Sequence, residues 1–146
     1  MSEPLWRELA AFWREQAGAD SPQYAGALAA LGLNLLEQQK PADPGAPGLL
    51  RECLLIREKT EPDAWTTFHT QSLLGISLLG QKNYSAAEPL LLSGYAGMKE
   101  REGKLRSQGK ARLTDSLDRL IQLYDAWDKP DQAAEWRAKL PEPAKP

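Results

Sequence analysis

LLGISLLGQKNYSAAEPLLL, residues 73–92, decides the fold. Leu73, Leu74, Ile76, Leu78 and Leu79 spread over a wide apolar helical face. The polar run GQKN, residues 80–83, interrupts it, and a second amphipathic segment opens at Tyr84. Two antiparallel helices joined by a short turn need small side chains at the crossing, where the axes approach to about 8–10 Å. Gly75 on the first segment, with Ala86 and Ala87 on the second, supplies them. A glycine in mid-helix costs roughly 1 kcal/mol relative to alanine, so Gly75 has a packing reason to be there. The stretch reads as a helical hairpin.

The hairpin recurs. Leu31 and Gly32 match Leu74 and Gly75 at a spacing of 43 residues, and Leu49 with Leu50 matches Leu90 with Leu91 at 41. Downstream, Ile121 and Ala133 lie 46 residues after Gly75 and Ala87. Two helices per unit with such a period are the signature of a helical solenoid, and three units are about the minimum for stability. The competing reading, an irregular bundle with accidental self-similarity, fits poorly because small positions and loop residues coincide.

Around these anchors the chain divides into one domain spanning residues 1–146. Residues 4–17 are expected to form a first helix with Leu5, Trp6, Leu9, Phe12 and Trp13 on one face, either capping the next hairpin or presenting an aromatic patch. Repeat 1 takes residues 21–60, with its first helix starting near Ser21 and Pro22, PADPGAP (41–47) as its turn, and 48–60 as its second helix. Repeat 2 takes 63–101, its first helix starting at Pro62 and Asp63 and its second running from Tyr84 to Arg101. Residues 102–112 read as a polar turn or frayed end. Repeat 3 takes 111–140, with helices over 113–129 and from Pro130, and residues 141–146 form a disordered tail.

Composition excludes several classes. At 146 residues, 42% apolar and 26% charged, the chain suits one ordinary globular domain. A net charge of −2 gives no electrostatic case for nucleic acid or an anionic membrane. No apolar run approaches the roughly 20 residues that span a bilayer, and the acidic N-terminal stretch is no secretory signal, so a cytoplasmic setting is the default. One cysteine and one histidine make neither an intramolecular disulfide nor a structural zinc site, and no cofactor or metal is expected.

The residues resemble the tetratricopeptide repeat family. Leu74, Gly75, Tyr84, Ala87 and Gly94 carry the likeness in the central unit; Leu31, Gly32 and Cys53 do so in the first, and Leu120, Tyr124 and Ala133 in the third. The third unit has Ile121 for the glycine and Pro130 for the tyrosine, and the PADPGAP turn replaces the aromatic and alanine of the first. The period of about 42, with RECLLIREK before Pro62 and Asp63, is similar to the kinesin-light-chain-type variant. Residues 4–140 also resemble a C-terminal module of bacterial multidomain proteins, including serine/threonine kinases. The resemblance implies an all-α, right-handed solenoid of three helix pairs plus an N-terminal helix. It further implies a protein-interaction scaffold whose first helices line a concave groove. Self-association, possible as a homodimer, or support of an attached catalytic domain is the alternative.

That register places His69, Ser72, Ile76 and Leu79 in the groove from the central unit. Asp115, Asp118, Arg119 and Gln122 join them from the third unit, and Gly26, Ala29, Leu33 and Leu36 from the first. Chaperone-binding members hold a terminal carboxylate with lysines and asparagines at such positions; neither type stands here, so no such clamp is expected. The apolar first-unit positions suit an inserted helix or apolar peptide, and the chain's own Trp6, Leu9 and Trp13 would also fit.

No catalytic residues are expected. Glu52 with Glu58, and Asp115 with Asp118, lie among basic residues as solvated faces; Cys53 sits among leucines as a core thiol; GKLRSQGK lacks phosphate-loop spacing. The basic residues Lys99, Arg101, Lys104, Arg106, Lys110 and Arg112 read as a solvated connection, with an acidic or RNA partner as the sharper alternative.

Overall fold

The computed structural model describes residues 3–38 and 45–141, and every regular element among them is helical. The helices are α1 (Glu3–Ala17), α2 (Pro22–Glu37), α3 (Ala46–Thr60), α4 (Trp65–Gly80), α5 (Tyr84–Glu100), α6 (Ser107–Ala126) and α7 (Pro130–Arg137). A 3-10 turn, Glu102–Lys104, precedes α6. α2 packs on α3, α4 on α5 and α6 on α7, and the pairs are joined through α3 on α4 and α5 on α6. α4 also touches α2 and α6, so the first helices of the three pairs share one layer. A core led by Leu50, Leu73, Leu74, Leu91, Leu120 and Tyr124 draws on all three pairs.

Local chemistry sets the boundaries. Ser21 caps α2 by accepting the Tyr24 amide at 3.1 Å, with Pro22 in the first turn, where a missing N–H costs nothing. α3 begins at Ala46, before the expected position 48, because Pro47 is likewise tolerated in a first turn. Residues 41–44 of the expected turn, and 142–146 of the expected tail, lie outside the described residues. Pro62 and Asp63 fall in the turn before α4, which starts only at Trp65. The larger departure is α6, which starts at Ser107 and not at 113. Buried Leu105 anchors this start, and Gly109 lies so close to it that a Cβ would stand 2.9 Å from Leu105 Cδ2.

The repeat is visible atom by atom. A Cβ on Gly32 would lie 2.5 Å from Leu50 Cδ2, and one on Gly75 2.6 Å from Leu91 Cγ. In both pairs a leucine of the second helix therefore enters the space a glycine leaves open. Farther along, Cys53 Sγ donates to the Ala25 carbonyl at 3.3 Å, while a Cβ on Gly94 would come within 2.8 Å of the Phe68 carbonyl. Ala25 and Phe68 keep the 43-residue spacing. The turns of the last two pairs also coincide. Lys82 (φ 61°) and Asp128 (φ 55°) both adopt the left-handed conformation. The following amides close the same six-residue ring, Asn83 on the Leu78 carbonyl at 2.9 Å and Lys129 on the Tyr124 carbonyl at 2.8 Å.

The third pair is the exception in its packing. Ile121 replaces the glycine, and the residue in register with Leu91 is Arg137, exposed and bonded to Asp125 at 2.7 Å. Aromatic contacts to α5 take over: Trp127 stacks on Tyr84 at 5.9 Å, Trp136 meets Tyr95 edge-on at 5.3 Å, and the Tyr124 hydroxyl donates to Glu88 at 2.8 Å.

α1 packs on α2 as α3 packs on α4 and α5 on α6, standing where the second helix of a preceding pair would stand. It does not enter the face made by α2, α4 and α6, so Trp6, Leu9 and Trp13 do not fill that groove. Ala10 is the α1 residue that is fully buried; Trp6, Leu9 and Trp13 are half-buried, and Leu5 and Phe12 are each 50% exposed.

Candidate functional site

The shared layer of α2, α4 and α6 forms a concavity. Leu33 and Leu36 from α2, Ile76 from α4, and Asp115, Asp118, Arg119 and Gln122 from α6 border one depression of about 310 Å³, with Glu37 and Arg112 at its rim. Ser72 is buried beneath it and accepts a hydrogen bond from Arg119 Nη1 at 3.1 Å. His69 lines an adjoining depression of about 190 Å³ with Arg57, Trp65, Gln108 and Arg112; Leu33 and Arg112 border both. The helical register thus brings most of the chosen positions of three units to one surface, while Gly26 and Leu79 border neither depression.

Arg57, Trp65, Gln108 and Arg112 were not among the groove candidates, and Arg112 was read only as part of the basic group at 99–112. Gln108 and Arg112 stand seven and three residues before Asp115, one helical face of α6, and were hidden by reading 102–112 as a turn. Arg57 belongs to a second helix, α3, yet reaches this face: its Nη1 donates to Thr70 Oγ1 at 2.8 Å and to the Thr66 carbonyl at 3.4 Å.

The electrostatics are uneven along the groove. Glu37, Asp115 and Asp118 gather toward Gln122, whereas the side chains around His69 include two arginines and no carboxylate. Arg112 Nη1 bonds Asp115 at 2.8 Å across one helical turn. Arg119 is half-buried, and burial foremost lowers its pKa, with Arg112 adding to the effect and Asp115 and Asp118 opposing it. His69 is 9% exposed, and its Nε2 meets no hydrogen-bond partner among the described residues. Burial first, then the charges of Arg119, Arg112 and Arg57, push its pKa down to about 3, so the ring is neutral at pH 7.

Elsewhere the acidic and nucleophilic candidates are engaged structurally. Glu52 accepts the Tyr24 hydroxyl at 2.9 Å, and Glu58 is exposed. Burial pushes the Cys53 thiol up, and it serves as a donor inside the α2–α3 contact. Among the described residues no three His, Cys, Asp or Glu side chains come together to hold a metal ion. Within the basic group at 99–112, Lys99 pairs with Glu102 at 2.9 Å, Arg101 with Asp63 at 3.3 Å, and Arg112 with Asp115. A depression of about 580 Å³ lies beside it between Asp63, Trp65, Arg101 and Leu105. Its main cation is spent within the fold: Arg101 also donates to the Gly97 carbonyl at 2.9 Å and lies 4.4 Å over the Phe68 ring. No described helix is long and apolar enough to cross a membrane.

Against known proteins, the chain matches no family model and no curated protein. Among solved structures it is similar to BtubC (BKLC) from P. vanneervenii, with a TM-score of 0.69 at 15% sequence identity. The match covers 99% of this chain and 60% of that one, so the chain spans about three-fifths of its length. The fold is a tetratricopeptide-like helical repeat.

Proposed function

We propose that the chain is an interaction scaffold that binds a segment of a partner protein in the groove between α2, α4 and α6. One observation carries this reading: seven side chains chosen from the family resemblance and the repeat register, drawn from three units, border a single depression. A tetratricopeptide-like fold generally serves protein–protein interaction and not catalysis, which supports the reading without naming the partner. The kinesin-light-chain-type variant, attachment to a catalytic domain such as a kinase, and a cytoplasmic setting belong to the same proposal. The test is affinity capture with the intact chain against Ile76→Glu with Gln122→Ala, and against Ser93→Glu on the exposed side of α5 as control. Capture should vanish in the groove variant and survive in the control. Equal recovery from both would remove the groove as the site.

Self-association is the second reading, favoured by apolar side chains left in water: Leu5 and Phe12 on α1, and Leu55 on α3, 69% exposed. Sedimentation across a range of concentrations separates the two. A tight dimer that Phe12→Ser dissolves favours pairing of copies.

A further inference from the structure

The layer opposite the groove carries a pattern of its own. α1 and α3 lie side by side in it, flanking one depression of about 240 Å³ that Leu28 and Leu31 of α2 also line. Each helix has 15 residues, and their starts, Glu3 and Ala46, keep the 43-residue spacing of the repeat. Their burial coincides at that spacing: Ala10 and Cys53 are buried in one cluster, while Trp6 and Leu49 are half-buried. On the opposite face each helix presents an exposed row at i, i+3 and i+7. The row is Leu5, Glu8 and Phe12 on α1, and Gly48, Arg51 and Leu55 on α3. Among the described residues, the large apolar side chains left half or more in water are Leu5, Phe12 and Leu55, and all fall in these two rows. The rows match position by position: a leucine with a glycine, an acid with a base, an aromatic with a leucine. Gly48 is an open hole, since a Cβ there would meet nothing within 4 Å. Neither Glu8 nor Arg51 takes an ion pair among the described residues.

We propose that a second copy of this chain docks on these rows, α1 of one copy lying along α3 of the other about a two-fold axis parallel to both helices. The inference rests on the self-association reading and adds which faces meet and in what register. Leu5 seats over Gly48 of the second copy, and Phe12 packs beside its Leu55. Between these apolar levels Glu8 meets Arg51. A two-fold axis makes every contact twice, so one chain supplies both halves of the match. Charge selects the axis. Centred on α1 it would set Glu8 against Glu8, and centred on α3 it would set Arg51 against Arg51; between the helices it pairs opposite signs. The match ends one turn farther on, where both helices carry glutamate, Glu15 and Glu58. Because the groove belongs to the layer of first helices, this pairing leaves it open in both copies.

Sedimentation of the intact chain at low salt, over a range of concentrations, reads the pairing. The chain should dimerise, and Glu8→Arg or Arg51→Glu should each weaken the dimer at least tenfold by setting like charges together at both halves of the contact. Mixing these two variants in equal amounts should restore it, because in the mixed pair every such contact again joins opposite signs. Gly48→Leu should weaken it comparably by filling the hole. That position is open within its own chain, so the fold is kept, which melting curves verify for each variant. Ser93→Glu, on the exposed side of α5 and outside the contact, should leave the dimer unchanged. A dimer that persists in Glu8→Arg, Arg51→Glu and Gly48→Leu would sink this inference and leave self-association standing through another face. A mixture that stays monomeric would show that α1 and α3 do not meet across the axis, and loss of the dimer in Ser93→Glu would overturn the choice of axis. A chain that is monomeric at every concentration would overturn both the inference and the reading beneath it.

Discussion

The first two helix pairs and the third solve one packing problem in opposite ways. In α2–α3 and α4–α5 the helices close by removing a side chain: Gly32 admits Leu50 and Gly75 admits Leu91. In α6–α7 the hole is filled by Ile121, and the position that should send a leucine into it holds Arg137, pointing to water. Both halves of the contact are lost together. A repeat unit therefore conserves a relation between two positions more than an identity at either. The last pair, with an eight-residue α7, fastens to its neighbour through Trp127, Trp136 and Tyr124 instead.

The largest test of that contrast is Ile121→Gly. If the third pair used the approach of the other two, the change would be tolerated. Losing a buried isoleucine and adding a mid-helix glycine should instead cost about 4 kcal/mol, read by urea denaturation. The converse change, Gly75→Ala, should cost about 2 kcal/mol, because the new methyl meets Leu91 Cγ and, at 3.3 Å, the Leu91 backbone nitrogen. Gly32→Ala should cost only about half as much, since the three atoms nearest the new methyl all belong to the Leu50 side chain, which can shift. Adding Leu91→Ala to Gly75→Ala should recover part of the loss, a coupling expected of residues in contact. Additive losses would mean that the two residues do not share the space assigned to them.

The same register carries the sharpest difference on the groove side. Gly26, His69 and Asp115 are equivalent positions, holding no side chain, a buried neutral ring and a paired carboxylate. Only the central unit should therefore make stability depend on pH near neutrality. The His69 pKa is lowered from 6.5 to about 3, so below pH 6.5 the unfolded chain takes up a proton that the folded chain refuses. Stability is present above pH 6.5 and falls as the pH drops toward 3. From pH 7 to 5.5 the loss should be about 1 kcal/mol, and His69→Gln should flatten it. An unchanged slope in that variant would show that the ring is solvated.

What could be read in the chain beforehand follows the same line. The glycine and leucine spacings carried the pairs because they repeat, and the family resemblance, applied through helical register, carried seven of the groove residues. Residues fixed by a single contact did not repeat and were missed. Leu105 seating on Gly109 extends α6 backward and so presents Gln108 and Arg112, and no periodicity announces it. Arg57 was equally silent, since its reach to Thr70 is a tertiary bond from the helix assigned to the outer layer. The fate of α1 was open for a related reason: its aromatic face fits either a groove or a neighbouring helix, and only packing chooses.

The smallest expected effect returns to the turns, where the last two pairs are alike. Lys82 and Asp128 hold the same left-handed conformation with the same closing hydrogen bond, but their side chains differ in tolerance for it. A residue with an extended side chain is strained there, whereas aspartate is among the types that enter this region readily. Lys82→Gly should gain about 0.5 kcal/mol, the relief being partly offset by the greater freedom of glycine in the unfolded chain. Asp128→Gly should change stability by less, because less strain is there to relieve. If Asp128→Gly gained more than Lys82→Gly in matched denaturation curves, the turns would differ in their strain despite their common geometry. The likeness of the second and third units would then extend to backbone shape alone.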